Sequence, residues 1–404
     1  MSGAYAAGVI PRDAASRLAE LARFYPVVSV TGPRQSGKTT LCRAAFPHLP
    51  YVSLEPLDVR EFATADPRGF LASLPDGAVV DEVQRAPDLF SYLQAEVDER
   101  PEPGRYILTG SQNLALSASI TQSLAGRTAT LELYPPSWSE LQRFPSAPTD
   151  LFEVVWTGAY PRIFDRQIPP HQWIADYVAT YVQRDVRQLL NIGDLRSFTE
   201  FLSLCAGSTA NETHLSRLGA DAGISHNTAK AWMSVLEATY LIFRLPGWHP
   251  NFRKQVVKSA KLHFVDSGIA CYLLGIREPQ QLRTHPLRGA IFESWVAAEV
   301  LKQAAHRGAR SSMFHYRDAT GLEVDLVSGT PRSVILTEAK SGATVATDFT
   351  ASVERLAAGL LQRDPSLTVT TRVVYGGTMP QSRGSTMIIP WRGIDTHPWH
   401  DDAD

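Results

Sequence analysis

The stretch "VVSVTGPRQSGKTTL", residues 27–41, decides the fold of the N-terminal region. An apolar run leads into a turn in which Gly32 is followed, after four residues, by Gly37-Lys38-Thr39. This spacing predicts a loop whose backbone N–H groups surround the β- and γ-phosphates of a nucleotide, with the positive end of the next helix facing the anion. Lys38 is expected to neutralise the γ-phosphate, and Thr39 to offer its hydroxyl to Mg²⁺. The predicted nucleotide contacts are Gly32, Pro33, Arg34, Gln35, Ser36, Gly37, Lys38, Thr39 and Thr40.

A pair of acids in "AVVDEVQ", residues 78–84, supplies a second part of such a site. Asp81, at the end of an apolar strand, is expected to hold Mg²⁺ through water, and Glu82 to orient the attacking water. A solvated acid pair that closes a strand is the alternative interpretation.

Two later motifs place further polar groups after predicted strands. "ILTGSQN" (107–113) contains Ser111 and Asn113, which are predicted to sense the γ-phosphate, although polar residues commonly follow strands. "SLAGRT" (123–128) contains Arg127, which is interpreted either as a catalytic arginine finger or second sensor, or as a surface or salt-bridged side chain.

The composition is that of an ordinary soluble chain of two or three domains, with 404 residues, 44% hydrophobic and 20% charged. The formal net charge of −2 gives no overall basic field, so any contact with nucleic acid must rest on a local patch. Cys42, Cys205 and Cys271 lack metal-ligand spacing and predict reduced thiols in a cytoplasmic protein. No segment reaches the ~18 consecutive apolar residues of a membrane span, and no signal peptide is expected.

Strand-like and helical segments alternate over about residues 20–145, which predicts a doubly wound α/β layout. A helix over residues 13–24 is expected to place Leu18, Leu21 and Phe24 on one face. Ligands of such sheets bind at the carboxyl ends of the strands, where the glycine turn and the acid pair fall. The predicted strands are "PVVSVTG", "YVSLE", "GAVVDEVQ", "RYILTGS" and "TATLELYP".

The segment "RLGADAGISHNTAKAWMSVLEATYLIFRL", residues 217–245, resembles a helix-turn-helix with Gly223 in the turn and Ser225 as the N-cap of the second helix. A winged version would continue through residues 241–265. DNA contact through phosphates is one interpretation, and a protein-contact or lid module with a solvated basic face is the other. The second helix is expected to face outward with His226, Asn227, Thr228 and Lys230 and inward with Ala229, Trp232, Met233 and Leu236, and the basic residues that follow are Arg244, Arg253, Lys254, Lys258 and Lys261.

Three acids and a lysine mark the C-terminal part of the chain. Glu293 is predicted on an amphipathic helix in "GAIFESWVAAEV", and Asp325 in an apolar strand in "GLEVDLV". "VILTEAKSG" places Glu338 and Lys340 on the same face of the next strand. A hairpin would bring Asp325 beside Glu338, and the helix would add Glu293. These oxygens suit Mg²⁺ or Mn²⁺, which would polarise a phosphodiester, while Lys340 orients or deprotonates the attacking water.

Taken in order, the N-terminal motifs resemble those of AAA-type ATPases, in particular a bacterial and archaeal branch with a nuclease-like C-terminal domain of unknown function. The resemblance implies ATP binding and hydrolysis with Mg²⁺, and it is compatible with homo-oligomerisation. The segments that carry it are "TGPRQSGKTTL", "VVDEVQRAPDLFSYLQ", "ILTGSQNLAL", "SLAGRT", "LYPPSWSEL", "GAYPRIF" and "YVQRDV".

The helix-Glu, strand-Asp and Glu-x-Lys pattern resembles the restriction-endonuclease-like fold, PD-(D/E)XK, with Val324 in place of the leading proline. The predicted fold class is therefore α/β, with an N-terminal P-loop AAA-like domain, a helical and winged-helix-like middle region, and a restriction-endonuclease-like C-terminal α/β domain. The predicted boundaries are 1–150 for the AAA-like domain, 151–207 for a helical lid or linker, 208–262 for the helix-turn-helix module and 263–404 for the nuclease-like domain.

Two functions remain open from the sequence. The first is an ATPase whose nucleotide state positions the C-terminal domain on DNA and drives metal-dependent cleavage. The second is a switch in which ATP rearranges the helical module and the C-terminal fold grips DNA or a protein without cutting. Neither function involves a membrane.

Overall fold

The computed structural model describes residues 9–110, 124–181, 195–248, 259–308, 313–330 and 332–399. Among these residues, no helix combines the length and the apolar character needed to cross a membrane. Three sheets organise the described chain, and each lies in a different part of the sequence. The strands are β1 (Val27–Thr31), β2 (Tyr51–Ser53), β3 (Ala78–Asp81), β4 (Tyr106–Thr109), β5 (Thr128–Glu132), β6 (Asn211–Glu212), β7 (Ile242–Leu245), β8 (Lys261–Phe264), β9 (Phe314–Arg317), β10 (Glu323–Gly329), β11 (Ser333–Lys340), β12 (Thr368–Tyr375), β13 (Gln381–Arg383) and β14 (Thr386–Pro390).

Helices surround these sheets. The longest described helix has 20 residues and belongs to the C-terminal part of the chain. The described helices are α1 (Ala14–Leu21), α2 (Lys38–Ala45), α3 (Leu57–Ala65), α4 (Pro67–Ala72), α5 (Leu89–Glu99), α6 (Trp138–Leu141), α7 (Leu151–Thr157), α8 (Pro161–Asp165), α9 (Pro170–Tyr181), α10 (Leu195–Gly207), α11 (Leu215–Asp221), α12 (His226–Ala238), α13 (Ser267–Leu273), α14 (Pro279–Thr284), α15 (Arg288–Arg307) and α16 (Ala351–Arg363).

The N-terminal sheet has five parallel strands in the order β2-β3-β4-β1-β5. All five strands predicted from the sequence are present. Every residue of β1, β3 and β4 is buried, because helices cover both faces of the sheet, as parallel sheets require. One face packs under α1 and α2 and the other under α4 and α5. This layout brings the carboxyl ends of β1 and β3 to one edge.

The first helix is shorter than predicted. Leu18 and Leu21 are buried as expected, but Phe24 is 70% exposed. The helix ends at Leu21, so the helical periodicity that placed Phe24 on the buried face does not extend to it. The prediction for Phe24 was therefore wrong.

The middle part of the chain combines α10, α11 and α12 with a three-stranded antiparallel sheet in the order β6-β8-β7. Ser225 caps α12 as predicted, because its side chain accepts a hydrogen bond from the N–H of Thr228. The predicted inward residues of α12 are buried among α10 and α11. β8 completes this sheet, so the boundary predicted between residues 262 and 263 falls inside a strand.

The C-terminal sheet has six strands in the order β13-β14-β12-β11-β10-β9. The hairpin β10–β11 is antiparallel, as predicted, whereas β12 joins β11 in parallel after the crossover helix α16. The helix α15 packs on β11, on β8 of the middle sheet and on β5 of the N-terminal sheet. This helix therefore contacts all three sheets of the described chain.

Candidate functional site

The loop between β1 and α2, residues 32–37, has the backbone that an anion cradle requires. Gly32 has φ 144°, and a Cβ there would lie 2.1 Å from the carbonyl oxygen of Leu133. Gly37, the residue before α2, adopts the left-handed conformation with φ 97°. No side chain fits at Gly32, and few residues other than glycine adopt the Gly37 conformation, so this pair of glycines shapes the loop.

Lys38 points back into this loop from the first position of α2. Its Nζ donates to the carbonyl oxygens of Gly32 at 3.0 Å and Pro33 at 2.8 Å, and the residue is only 7% exposed. Burial lowers the pKa of Lys38 to about 8, against the opposing charges of Glu82 and Asp81. An anion in the loop would compensate this buried ammonium, which is the role predicted for Lys38.

Asp81, the last residue of β3, accepts hydrogen bonds from three hydroxyl groups. Its carboxylate accepts hydrogen bonds from Thr39 at 3.0 Å, from Tyr51 at 2.7 Å and from Thr109. The Thr39 hydroxyl and the Asp81 carboxylate, which came together as predicted, are oxygen ligands of the kind that Mg²⁺ takes alongside water and phosphate. These two residues fit the predicted Mg²⁺ and would hold it.

Tyr51 and Thr109 were not among the predicted site residues. Tyr51 lies at the start of β2 and Thr109 at the end of β4. Both strands are paired directly with β3, so each hydroxyl reaches Asp81 from an adjacent strand. Burial, together with the hydrogen bond to Asp81, raises the pKa of Tyr51 to about 12, so this hydroxyl remains a donor. The position of Thr109 at the carboxyl end of a predicted strand was the available signal for this residue.

Glu82 follows Asp81 in the left-handed conformation, with φ 58°. This is a strained backbone for a residue with a side chain, and such strain clusters at functional sites. Its Oε2 accepts a hydrogen bond from Gln84 Nε2 at 2.6 Å, and the residue lines the same cavity as Lys38 and Thr39. Glu82 therefore faces the space in which a γ-phosphate and its attacking water would lie.

That cavity has a volume of about 640 Å³. Besides the glycine-rich loop, its wall includes Arg162 and Arg166, at and just after the short helix α8, with Asp165 between them. Arginines in the wall of such a cavity are suited to bind anionic oxygens, and Arg166 also pairs with Asp165 at 3.4 Å. Sequence reasoning missed both arginines, although the segment "GAYPRIF" that contains Arg162 was part of the AAA resemblance.

Three predicted residues of this site are not brought to the cavity by the described structure. Ser111 and Asn113 lie outside the described residues. Arg127 directly precedes β5, and its carbonyl oxygen accepts from Val27 N–H at the start of β1. It is thus at the opposite end of the sheet from the glycine-rich loop, where its guanidinium pairs with Asp98. Within its own chain, the finger or sensor interpretation of Arg127 is replaced by that of a salt-bridged side chain.

The C-terminal carboxylates converge as the hairpin predicted. Asp325 Oδ2 accepts from the N–H of Ala339 at 2.9 Å, and Glu338 Oε1 accepts from Lys340 Nζ at 3.0 Å. Glu293, on α15, faces the same point. We call Glu293, Glu323, Asp325 and Glu338 the acid cluster; their side chains are 14%, 35%, 13% and 7% exposed.

The centre of the acid cluster holds a cation that the sequence analysis had placed elsewhere. Lys261 Nζ lies 2.7 Å from Glu293, 2.6 Å from Glu323 and 3.6 Å from Asp325. The residue is only 2% exposed. Its assignment to a DNA-facing basic run was therefore wrong, because β8 directs this side chain into the C-terminal sheet. Arg244 of the same run pairs with Glu237 at 2.6 Å, and Arg253, Lys254 and Lys258 lie outside the described residues.

This arrangement does not fit the divalent ion predicted here. Mg²⁺ binds carboxylate oxygens at about 2.1 Å, but of the three predicted ligands Glu293 and Asp325 already lie against Lys261 Nζ, and Glu338 accepts from Lys340. The charges of Glu293 and Asp325 outweigh the effect of burial and raise the pKa of Lys261, so it remains an ammonium. Burial, with the charge of Asp325, raises the pKa of Glu338 to about 8.

Comparison with known families assigns three successive regions. Residues 25–142 match the AAA domain family, residues 148–280 a domain of unknown function (DUF8612), and residues 288–394 another domain of unknown function (DUF4143). The parallel sheet with its glycine-rich loop lies within the first match. The N-terminal region is thus an AAA-type P-loop ATPase domain.

Two solved structures match more than half of this chain at low identity. The Walker-type ATPase PABY2304 of Pyrococcus abyssi is 15% identical, with a TM-score of 0.46, over 66% of this chain and 96% of that one. The RuvB Holliday junction branch migration motor of Thermotoga maritima is 18% identical, with a TM-score of 0.31, over 59% and 90%. Both scores are below 0.5, so the fold assignment rests on the strand order and the family match.

Two curated mycobacterial proteins match most of the chain. The uncharacterized proteins Rv2008c of Mycobacterium tuberculosis (strain ATCC 25618 / H37Rv) and Mb2031c of Mycobacterium bovis (strain ATCC BAA-935 / AF2122/97) are each 31% identical over 332 residues. The match covers 79% of this chain and 72% of each relative. By this similarity, and by its AAA domain, the chain belongs to the protein family that includes Rv2008c.

Proposed function

We propose that this protein is an ATPase that couples its nucleotide state to a nuclease-like C-terminal domain acting on DNA. The observation that carries the ATPase part is the buried ammonium of Lys38, held in a loop that glycines at positions 32 and 37 shape for phosphate. Such a loop binds the β- and γ-phosphates through backbone N–H groups. The AAA family match over residues 25–142 supports the same proposal.

Hydrolysis would use residues of one cavity. Lys38 would bind the γ-phosphate, Thr39 and the adjoining Asp81 would hold Mg²⁺, and Glu82 would orient the attacking water. When bound, Mg²⁺ neutralises charge on the phosphate oxygens. Arg162 and Arg166 also line the cavity and would bind phosphate oxygens. In an oligomer, Arg127 of one subunit would have to leave Asp98 to reach a neighbouring site.

DNA contact would use the exposed face of α12. His226, Asn227 and Lys230 are exposed at the start of this helix, while Trp232 and Met233 anchor its other face in the core. An exposed helix start with a lysine can donate to phosphates and base edges. The pair between Arg244 and Glu237 reduces the basic charge beside this face, so α12 itself carries the contact.

DNA cleavage and DNA binding without cleavage require different states of the acid cluster. Lys261 neutralises the cluster in the described arrangement, and this favours the non-cleaving switch as the resting form. A cutting form would need the ammonium to leave. We therefore propose the ATP-dependent DNA switch as the basal function and keep cleavage as the second candidate.

ATP turnover tests the first part. Lys38→Ala is expected to abolish phosphate release and to weaken ATP binding by at least about tenfold, since a charge-assisted contact is lost. Arg23→Ala is the matched control, because it removes an exposed cation of the same domain away from the cavity. Equal turnover by Lys38→Ala and wild type would refute the nucleotide assignment.

DNA binding tests the second part. Fluorescence anisotropy with a duplex should show affinity that falls steeply between about 50 and 200 mM salt, because phosphate contacts release counterions. His226→Ala combined with Lys230→Ala should weaken the wild-type affinity, with ATP turnover in the absence of DNA as the check on folding. Absence of binding to any duplex or single strand at low salt would sink the DNA role while leaving the ATPase proposal intact.

A further inference from the structure

The acid cluster receives its counter-charge from a different sheet. Lys261 begins β8, which pairs with β6 and β7 in the middle sheet, whereas the carboxylates belong to α15, β10 and β11. The two parts are also hydrogen-bonded beside this contact, since Ser294 Oγ of α15 accepts from the N–H of Phe264 in β8 at 3.1 Å. One side chain thus crosses from the middle sheet into the C-terminal site.

Charge balance explains why such a side chain is needed. The acid cluster brings four carboxyl groups into a largely buried volume, and Lys340 contacts only Glu338 among them, at 3.0 Å. Burial and the charge of Asp325 raise the pKa of Glu293 and of Glu338, so a cation beside these groups is needed to favour their charged forms. Lys261 places its ammonium within 3.6 Å of the other three, so it balances the part of the cluster that Lys340 does not reach.

A divalent ion and the Lys261 ammonium would use the same oxygens. Glu293 Oε1 and Glu323 Oε1 contact Nζ at 2.7 and 2.6 Å, which leaves no room for an ion bonded to both at about 2.1 Å. The two occupants therefore exclude each other. The two sheets are joined beside this contact, because His315 of β9 donates its N–H to the carbonyl oxygen of Pro246 and accepts from the N–H of Trp248. Lys261 is therefore held in place between the middle and C-terminal sheets.

We propose that Lys261 is a built-in counter-cation that excludes Mg²⁺ or Mn²⁺ from the acid cluster. This inference rests on the proposed nuclease-like role of the C-terminal domain and adds what occupies its acidic site. The acid cluster then holds no metal, because the Lys261 ammonium occupies the position of the ion; we call this side chain the plug.

Mn²⁺ binding to the nucleotide-free, full-length protein tests the plug without any activity readout. Free Mn²⁺ is followed by electron paramagnetic resonance during titration of wild type, Lys261→Met and the double variant Lys261→Met/Asp325→Asn. Lys261→Met is expected to gain one Mn²⁺ site with a Kd at least about tenfold lower than any wild-type site, and Asp325→Asn should remove that gain. Mn²⁺ should also raise the melting temperature of Lys261→Met but not of wild type.

Two further variants keep the test decisive. Lys261→Arg retains a cation and should exclude Mn²⁺ as wild type does. If Lys261→Met does not fold because its carboxylates lack a partner, Lys261→Met/Glu323→Gln removes one charge of each sign and should bind Mn²⁺. Equal Mn²⁺ affinity in wild type and Lys261→Met, or no gain in either Lys261→Met variant, would overturn the proposal. ATP turnover and DNA binding are measured separately. Their absence would contradict the proposed function without bearing on the exclusion of Mn²⁺ by Lys261.

Discussion

Arg12 and Glu140 form an ion pair of 2.9 Å in which the side chains are 6% and 0% exposed. Arg12 also donates to the carbonyl oxygen of Ser36 in the glycine-rich loop at 2.7 Å. On the other side, Glu140 Oε2 lies 3.6 Å from His306 Nε2 of α15. The pair therefore connects the predicted nucleotide site to the long helix of the C-terminal domain.

Removing the charge of Glu140 should destabilise the protein strongly. Glu140→Gln leaves Arg12 buried without its carboxylate, and loss of one partner of a buried pair costs about 3–5 kcal/mol. Urea denaturation at pH 7 measures this change. Glu20→Gln, which breaks the exposed pair with Arg17, should change the free energy of unfolding by no more than about 1 kcal/mol. Similar effects of the two substitutions would contradict the prediction.

The same pair should make the free energy of unfolding fall at acidic pH. Burial alone would raise the pKa of Glu140, but the charges of Arg12 and His306 outweigh it and lower this pKa to about 2. A lowered folded-state pKa stabilises the protein above the unfolded value of 4.5, and this stabilisation is lost as the pH falls toward 2. Glu140→Gln should flatten the fall in unfolding free energy over this interval, whereas Glu20→Gln should leave it unchanged.

ATP affinity should weaken at alkaline pH through Lys38. Burial lowers its pKa to about 8, so the free protein loses this charge as the pH rises through 8. A bound triphosphate favours the ammonium, so ATP binding should take up a proton near pH 8 and the Kd should rise between pH 7 and 9. Calorimetry in buffers of different ionisation enthalpy measures the proton uptake. Uptake that persists in Lys38→Met would assign it to another group.

Arg162 should contribute to ATP binding although its side chain is exposed. It lines the cavity that contains Lys38, and a charged hydrogen bond to phosphate is worth about 1.5–3 kcal/mol. Arg162→Ala is expected to raise the Kd for ATP by about tenfold or more. The exposed Arg68, which lies over the ring of Tyr92 in the same domain, is the matched control. An unchanged Kd in Arg162→Ala would exclude this residue from the site.

The cap of α12 is a test of the middle region. Ser225→Ala removes the side-chain acceptor for the Thr228 N–H and should cost about 1 kcal/mol of unfolding free energy. Ser234→Ala, within the same helix, removes only a bond to the carbonyl oxygen of Lys230 and should be near neutral. Equal effects would show that the cap does not determine where this helix begins.

Local motifs were the predictable part of this molecule. The five strands, the glycine-rich loop and the Thr39–Asp81 approach follow from residues adjacent in sequence and from the rule that parallel strands share one carboxyl edge. The hairpin that joins Asp325 to Glu338 was equally local, because its partners are 13 positions apart in sequence.

Long-range partners were not predictable from pattern. Lys261 lies 32 positions before Glu293 in sequence, and its neighbours form a basic run that is typical of a solvated face. The pairing of β8 with β6 on one side and β7 on the other fixes its side chain inward. Arg127 illustrates the converse, because its motif indicated a phosphate contact and its position at the amino end of β5 gives it Asp98 instead.

The helix α15 has 20 residues, and Glu293 and His306 lie near its two ends. They lie 13 positions apart, which is about 20 Å along the helix axis. One continuous buried helix thus carries a partner of Glu140 beside the nucleotide domain and a partner of Lys261 in the acid cluster. A substitution that shortens or breaks α15 should therefore disturb both ion pairs together.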